Sequence, residues 1–88
     1  MNNKHRKTLT AIFTDPTPKA MEWRRIESIF IAVGCEVIEG DGSRVGFKMG
    51  DLRADFHRPH PEKEAKPYQV RAAREFLEQI GVKPCINL

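Results

Sequence analysis

Cysteine is scarce in this chain of 88 residues: there are two, Cys35 and Cys85, with no CxxC spacing. A disulfide-stapled scaffold and a thiolate zinc site are thereby excluded, because each needs more thiols or closer ones. With no secretory h-region ahead of them, both thiols are expected to be reduced, as in a cytoplasmic protein. Long apolar runs are missing as well, so no helix is expected to span a bilayer and no membrane partner is implied. There is no fixed-period repeat and no low-complexity segment, which rules out solenoids and fibrous chains. Nor is one charge in large excess: 15 Lys and Arg stand against 12 Asp and Glu, a net +3. A polycationic tail is excluded, and the distribution of the cations matters more than their sum.

What is present is ordinary for a globular protein, with 40% apolar and 31% charged residues. A chain of this length makes one small domain over residues 1–88, with a modest core and little room for a deep enclosed site. Lys4, Arg6 and Lys7 open it, Arg24 and Arg25 follow, and the densest cluster is Arg53, His57, Arg58 and His60. A phosphate-bearing partner fits that spread; so does a solvated basic surface.

Leu9, Ile12 and Phe13 recur at helical spacing, which predicts a helix over 4–14, ended by the prolines at 16 and 18. A second helix is expected from Met21 to Val33, with Trp23, Ile26, Phe30 and Val33 as its apolar stripe and Arg24, Arg25, Glu27 and Ser28 on the wetter side. Trp23 at that spacing reads as core rather than as a base-stacking platform. Three short strands follow: 35–39, 44–49 and 52–57. In the second, Val45, Phe47 and Met49 share one face; in the third, Leu52, Ala54 and Phe56 do. A polar loop over 62–66 then leads to a third helix starting at Pro67 and ending at Gly81, with Pro84 marking the stop. Val70, Ala73, Leu77 and Ile80 line one side of it. The result is an α+β layer, in which a three-stranded antiparallel sheet has helices packed on one face.

Gly50-Asp51 is a two-residue loop, so Met49 is expected opposite Leu52, Lys48 opposite Arg53, Val45 opposite Phe56, and Arg44 opposite His57. Every apolar residue then meets an apolar partner, and the register agrees with itself. On the other face the like charges of Lys48 and Arg53 are opposed. An anion bridging them would offset that cost; splayed side chains in water would do so equally.

The turn Gly40-Asp41-Gly42-Ser43-Arg44-Val45 before one strand and Pro59-His60-Pro61 after the next resemble the HicA family of toxins. The likeness covers roughly residues 22–82 and implies an α-β-β-β-α fold like a double-stranded-RNA-binding domain, with residues 1–18 as an N-terminal helical extension. It further implies a ribosome-independent mRNA interferase, acting without a small-molecule cofactor and silenced by a HicB-like antitoxin. The short family signature, Gly-Ser-His, reads Gly42-Ser43-Arg44 here. Arginine stays protonated and cannot serve as the general base that the family's histidine provides. The hairpin register offers His57, across the strand from Arg44, as the residue to take over that role.

Cleavage of RNA through its 2′-hydroxyl needs a proton acceptor, a proton donor and cationic support for the phosphorane. Histidine, with an unperturbed pKa near 6.5, suits the proton steps, and an arginine fork suits the charge. His57 and His60 are therefore the candidate catalytic pair, with Arg44, Lys48, Arg53 and Arg58 as RNA-binding residues. Other roles stand beside these. His57 can cap a loop, His60 can hold an extended segment between prolines, and Asp55 can orient His57 or pair with Arg53. His57 and His60 have i, i+3 spacing but no third ligand nearby, so no metal site is expected. The function classes left open are an mRNA-cleaving toxin, a non-catalytic RNA-binding module of the same fold, and a domain whose main partner is an antitoxin-type protein.

Overall fold

The computed structural model describes residues 2–83. Within them the elements are α1 (Asn3–Ile12), β1 (Met21–Glu22), α2 (Trp23–Ala32), β2 (Glu36–Glu39), β3 (Arg44–Met49), β4 (Leu52–His57), β5 (Glu64–Ala65) and α3 (Pro67–Gln79). β2, β3 and β4 form an antiparallel meander in that order, and β1 pairs with β5 in a separate antiparallel ribbon. The α+β layer expected from the alternation of β3 and β4 is the architecture found.

The β3–β4 register runs from Met49–Leu52 at the loop to Arg44–His57 at the open end. It is the register that a loop at Gly50-Asp51 requires. Gly50 has φ 60°, the positive value that a tight hairpin asks of its first loop residue and that glycine adopts without steric cost.

Inward residues of the sheet, Val45, Phe47 and Phe56, are buried against Trp23, Ile26, Ile29 and Phe30 of α2 and Val70, Ala73, Phe76 and Leu77 of α3. Phe30 is central: its ring centroid lies 4.6 Å from Phe47, 5.7 Å from Phe56 and 5.5 Å from Phe76. Trp23 sits 5.2 Å from Phe56 and is core, as its spacing predicts. Tilted aromatic pairs at these separations contribute ~0.5–1.5 kcal/mol each beyond area burial, so they set how α2 lies on the sheet.

The N-terminal extension is a helix, as expected, and it packs into this core. Its Thr8, Leu9 and Ile12 are buried, and it packs on both α2 and α3. The Asn2 side chain caps its start, accepting from the His5 N–H at 2.8 Å. At its end, Arg74 of α3 donates from Nε to the Ile12 carbonyl at 2.9 Å and from Nη2 to the Thr14 carbonyl at 2.8 Å. The Ile12 carbonyl is among those a helix C-terminus leaves without partners, and Thr14 lies just beyond the C-cap Phe13.

Two local expectations give way. The second helix begins at Trp23, not Met21, because Met21 and Glu22 are extended and pair with Ala65 and Glu64. The polar stretch 62–66 is accordingly not all loop. The Trp23 N–H donates to the Lys63 carbonyl at 2.9 Å, and Met21 and Ala65 are buried. A strand of two residues has no alternation to read, which is why pattern alone passes over it. Cys35 is buried and unpaired; the stop at Pro84 and the second thiol, Cys85, lie outside the described residues. No helix among the described residues is long and apolar enough to cross a membrane.

Candidate functional site

Two recesses meet along the Arg44–His57 pair at the open end of the hairpin. The first is a cleft of about 210 Å³ between the end of β4 and the start of α3, with His57, His60, Glu62, Lys66, Tyr68 and Gln69 among its walls. It therefore brings together the two histidines singled out from sequence. Gln69 is buried and joins the two elements: its Nε2 donates to the His57 carbonyl at 2.7 Å, and its Oε1 accepts from the Lys66 N–H at 3.0 Å. Those bonds fix the backbone that carries His57. The imidazole itself is exposed, with Nδ1 3.4 Å from the hydroxyl of Ser43.

The second recess, about 230 Å³, lies on the outer sheet face and includes Arg44, Gly46, Arg53 and Asp55. Arg53 lies along the strand to Asp55, with Nη2 to Oδ1 at 2.9 Å and Nε to Oδ1 at 3.0 Å. Of the two partners open to Asp55, it takes Arg53. The pair crosses over Gly46, where a Cβ would stand 2.8 Å from both Arg53 Nη2 and Asp55 Oδ1; glycine is what lets the guanidinium lie flat on the sheet. The opposition of Lys48 and Arg53 is relieved on the Arg53 side by a carboxylate of the chain itself. Arg53 turns to Asp55, and Lys48 has Glu36 of β2 as its other cross-strand neighbour.

Arg58 faces inward. Its Nη1 and Nη2 donate to the two carboxylate oxygens of Glu39 at 2.8 and 2.9 Å, and its Nε donates to Glu27 Oε1 at 2.6 Å. Glu27, expected on the wet side of α2, is only 19% exposed at its side chain and also accepts from the Trp23 indole N–H. The bidentate contact holds the Glu39 carboxyl below the usual carboxylate range, and the two carboxylates push the Arg58 guanidinium further up. Of the four cations expected on phosphate, Arg53 and Arg58 thus carry internal partners. Arg44 and Lys48 form no ion pair among the described residues.

Ser43, Lys66, Tyr68 and Gln69 were not singled out from the sequence. Tyr68 carried a signal: it lies off the apolar stripe of α3, and its side chain is accordingly exposed, at 58% for the residue. Gln69 carried none, since its partner is a backbone carbonyl twelve residues away. Among the described residues no group of three or more His, Cys, Asp or Glu is gathered to hold a metal ion.

The His57 imidazole and the Ser43 hydroxyl thus face each other, with Arg44 as the cross-strand neighbour of His57, at one end of a three-stranded sheet backed by helices on a small α+β domain. Over residues 23–82 the chain matches the family model described as the HicA toxin of bacterial toxin-antitoxin, and it belongs to that family. Membership implies an antitoxin as partner. Helix α1 lies outside the matched residues. No curated protein and no solved structure matches the chain.

Proposed function

We propose that this protein is a toxin acting on mRNA in the cytoplasm, cleaving it by attack of a ribose 2′-hydroxyl and neutralised by a HicB-like antitoxin. His57 takes the 2′-hydroxyl proton as the O2′–P bond forms, and His60 protonates the departing 5′-oxygen as the P–O5′ bond breaks. The products are a 2′,3′-cyclic phosphate and a 5′-hydroxyl, with no metal ion required. One well-placed acid or base contributes on the order of 10²–10⁴ in rate. Arg44 supports the phosphorane through its unpaired fork, Arg53 and Lys48 hold neighbouring phosphates, and Tyr68 offers a ring face to a base. Arg58 keeps the His57 end of β4 in place through its two carboxylates.

The observation that carries this reading is the pairing of Arg44 with His57 across the hairpin, with the Ser43 hydroxyl against the His57 ring. The signature Gly42-Ser43-Arg44 lacks the family's histidine, yet an imidazole stands beside it from the neighbouring strand. A second reading, RNA binding without cleavage, is favoured by Arg44 alone, because a permanent cation in the base position binds phosphate but moves no proton.

Incubation of purified protein with RNA in EDTA tests both. Cleavage by wild type, with a cyclic phosphate at the new end and loss of activity in His57→Ala, supports the nuclease. Tight, salt-sensitive binding of intact RNA by wild type and His57→Ala alike assigns the binding module instead.

A further inference from the structure

We propose that the groove between α1 and α2 is a second phosphate-binding site, and that it holds the RNA backbone running on from the histidine cleft. The inference rests on the reading that the protein acts on RNA. The groove, of about 230 Å³, is lined by Lys4, His5 and Thr8 of α1 and by Arg24, Arg25 and Ser28 of α2. Each of these side chains can donate a hydrogen bond and none is a carboxylate.

Arg25 is aimed by a partly buried contact. Its Nε donates to Thr8 Oγ at 3.1 Å, and that hydroxyl donates in turn to the Lys4 carbonyl at 3.1 Å. The two Nη groups of Arg25 are left for a ligand, and neither Arg25 nor Lys4 has an ion-pair partner among the described residues. Arg24 has one, Glu22 at 3.1 Å, but both side chains are well exposed, and such a pair is weak enough to yield to a phosphate. Cations gathered across a helix contact without an acid between them repel one another, and a bound anion removes that cost. The groove is also preformed, because Arg74 and the Asn2 cap secure both ends of α1.

The occupant follows from what the groove connects to. Arg24 also lines a recess of about 390 Å³ that includes His60, Pro61 and Lys63. His60 in turn lines the cleft that holds His57. Shared walls thus link the recesses in sequence from His57, past the proline-flanked loop with Glu62 at its rim, to Arg24 and on to Arg25 and Lys4. A polyanionic strand can follow that path, whereas a single small anion would use only one end of it. Half of the groove comes from α1, outside the residues that match the family model.

The test compares full-length wild type, Lys4→Glu and Arg25→Gln by fluorescence anisotropy. The probes are a labelled single-stranded RNA of about twelve nucleotides and a labelled trinucleotide. For the longer RNA, each substitution should weaken binding and flatten the dependence of log K on log salt by about 0.7, the share of one single-strand phosphate contact. Binding of the trinucleotide, which the histidine cleft alone can hold, should not change. Among the described residues the Lys4 side chain makes no hydrogen bond or ion pair, so Lys4→Glu should melt with wild type and keeps the test valid if Arg25→Gln loosens α1. Unchanged affinity and slope for the longer RNA would overturn the proposal and leave the groove a solvated face. Loss of antitoxin binding with RNA binding intact would overturn it in favour of a protein contact. Wild type that binds neither RNA would instead bring down the RNA-acting reading itself.

Discussion

Replacing Arg58 by Met keeps the aliphatic stem and removes the guanidinium that ties β4 to α2 and β2. Three hydrogen bonds are lost, one to Glu27 and two to Glu39. The two arms are not equal. Glu39 is 64% exposed at its side chain, so water replaces the guanidinium there and the pair contributes little. Glu27 is 19% exposed and would keep only the Trp23 indole N–H as a partner. A hydrogen bond to a charged group contributes roughly 1.5–3 kcal/mol, and a half-buried acceptor left short of donors costs a similar amount. Arg58 is itself 31% exposed, which places the Glu27 arm near the lower end, about 2 kcal/mol. For a domain of this size that is a fall in Tm on the order of 10 °C.

The single tryptophan, Trp23, is in the core and touches the same carboxylate, so its fluorescence in a urea titration reports this loss directly. The midpoint should fall with an unchanged m value. A double-mutant cycle with Glu27→Gln should return a coupling of ~1–2 kcal/mol, and Glu39→Gln alone should move the midpoint little. The acid limb of the stability curve should change as well. The folded Glu39 carboxyl is held below its ordinary value by Arg58, so the stability it supplies is present above the unfolded carboxyl pKa of about 4.3 and lost as pH falls through the lower folded value. In Arg58→Met that part of the acid sensitivity should vanish. An Arg58→Met midpoint within about 0.5 kcal/mol of wild type, or a cycle with no coupling, would refute the view that Arg58 is a structural tie rather than a free phosphate ligand.

Two other substitutions probe the site and the core. Gly46→Ala puts a methyl group where Arg53 and Asp55 cross; since both are ends of flexible side chains they should swing aside, changing stability by less than about 1 kcal/mol while the Arg53 Nε–H signal in NMR loses its hydrogen-bonded shift. In a Cys85→Ser chain, Cys35 should resist DTNB in the native state and react at once in urea, because it is buried. Burial also pushes its thiol pKa up, so the folded state holds that proton longer than the unfolded one, and stability should fall as pH rises past the unfolded value of about 8.5.

The fold was legible where the chain repeats a period. Strict alternation over 44–49 and 52–57, with a glycine-led loop between, determines which residues face one another, and that logic alone puts Arg44 opposite His57. The same reasoning missed the Met21–Glu22 pairing with Glu64–Ala65, because two residues hold no period and the contact spans more than forty positions. Helix α1 was legible as a helix but not as part of the core. Its attachment depends on Arg74 reaching two carbonyls some sixty residues away, and an arginine on a helix does not announce such partners.

Which cations are free was legible only in part. Arg44, Lys48, Arg53 and Arg58 look alike in sequence, and what separates them is the distance to a carboxylate. Arg53 has Asp55 two positions along its own strand, a partner the alternation does reveal; Arg58 has Glu27 and Glu39, 31 and 19 positions away on other elements. A basic residue can grip phosphate to the extent that its own fold has not already neutralised it, because a ligand must otherwise displace an acid tethered at high local concentration. By that criterion the strongest anchors for an anionic strand are Arg44 on the sheet and Arg25 in the helix groove. In the densest basic run of the chain Arg58 is committed to the scaffold, and the chemistry proposed for that run rests with His57 and His60 instead.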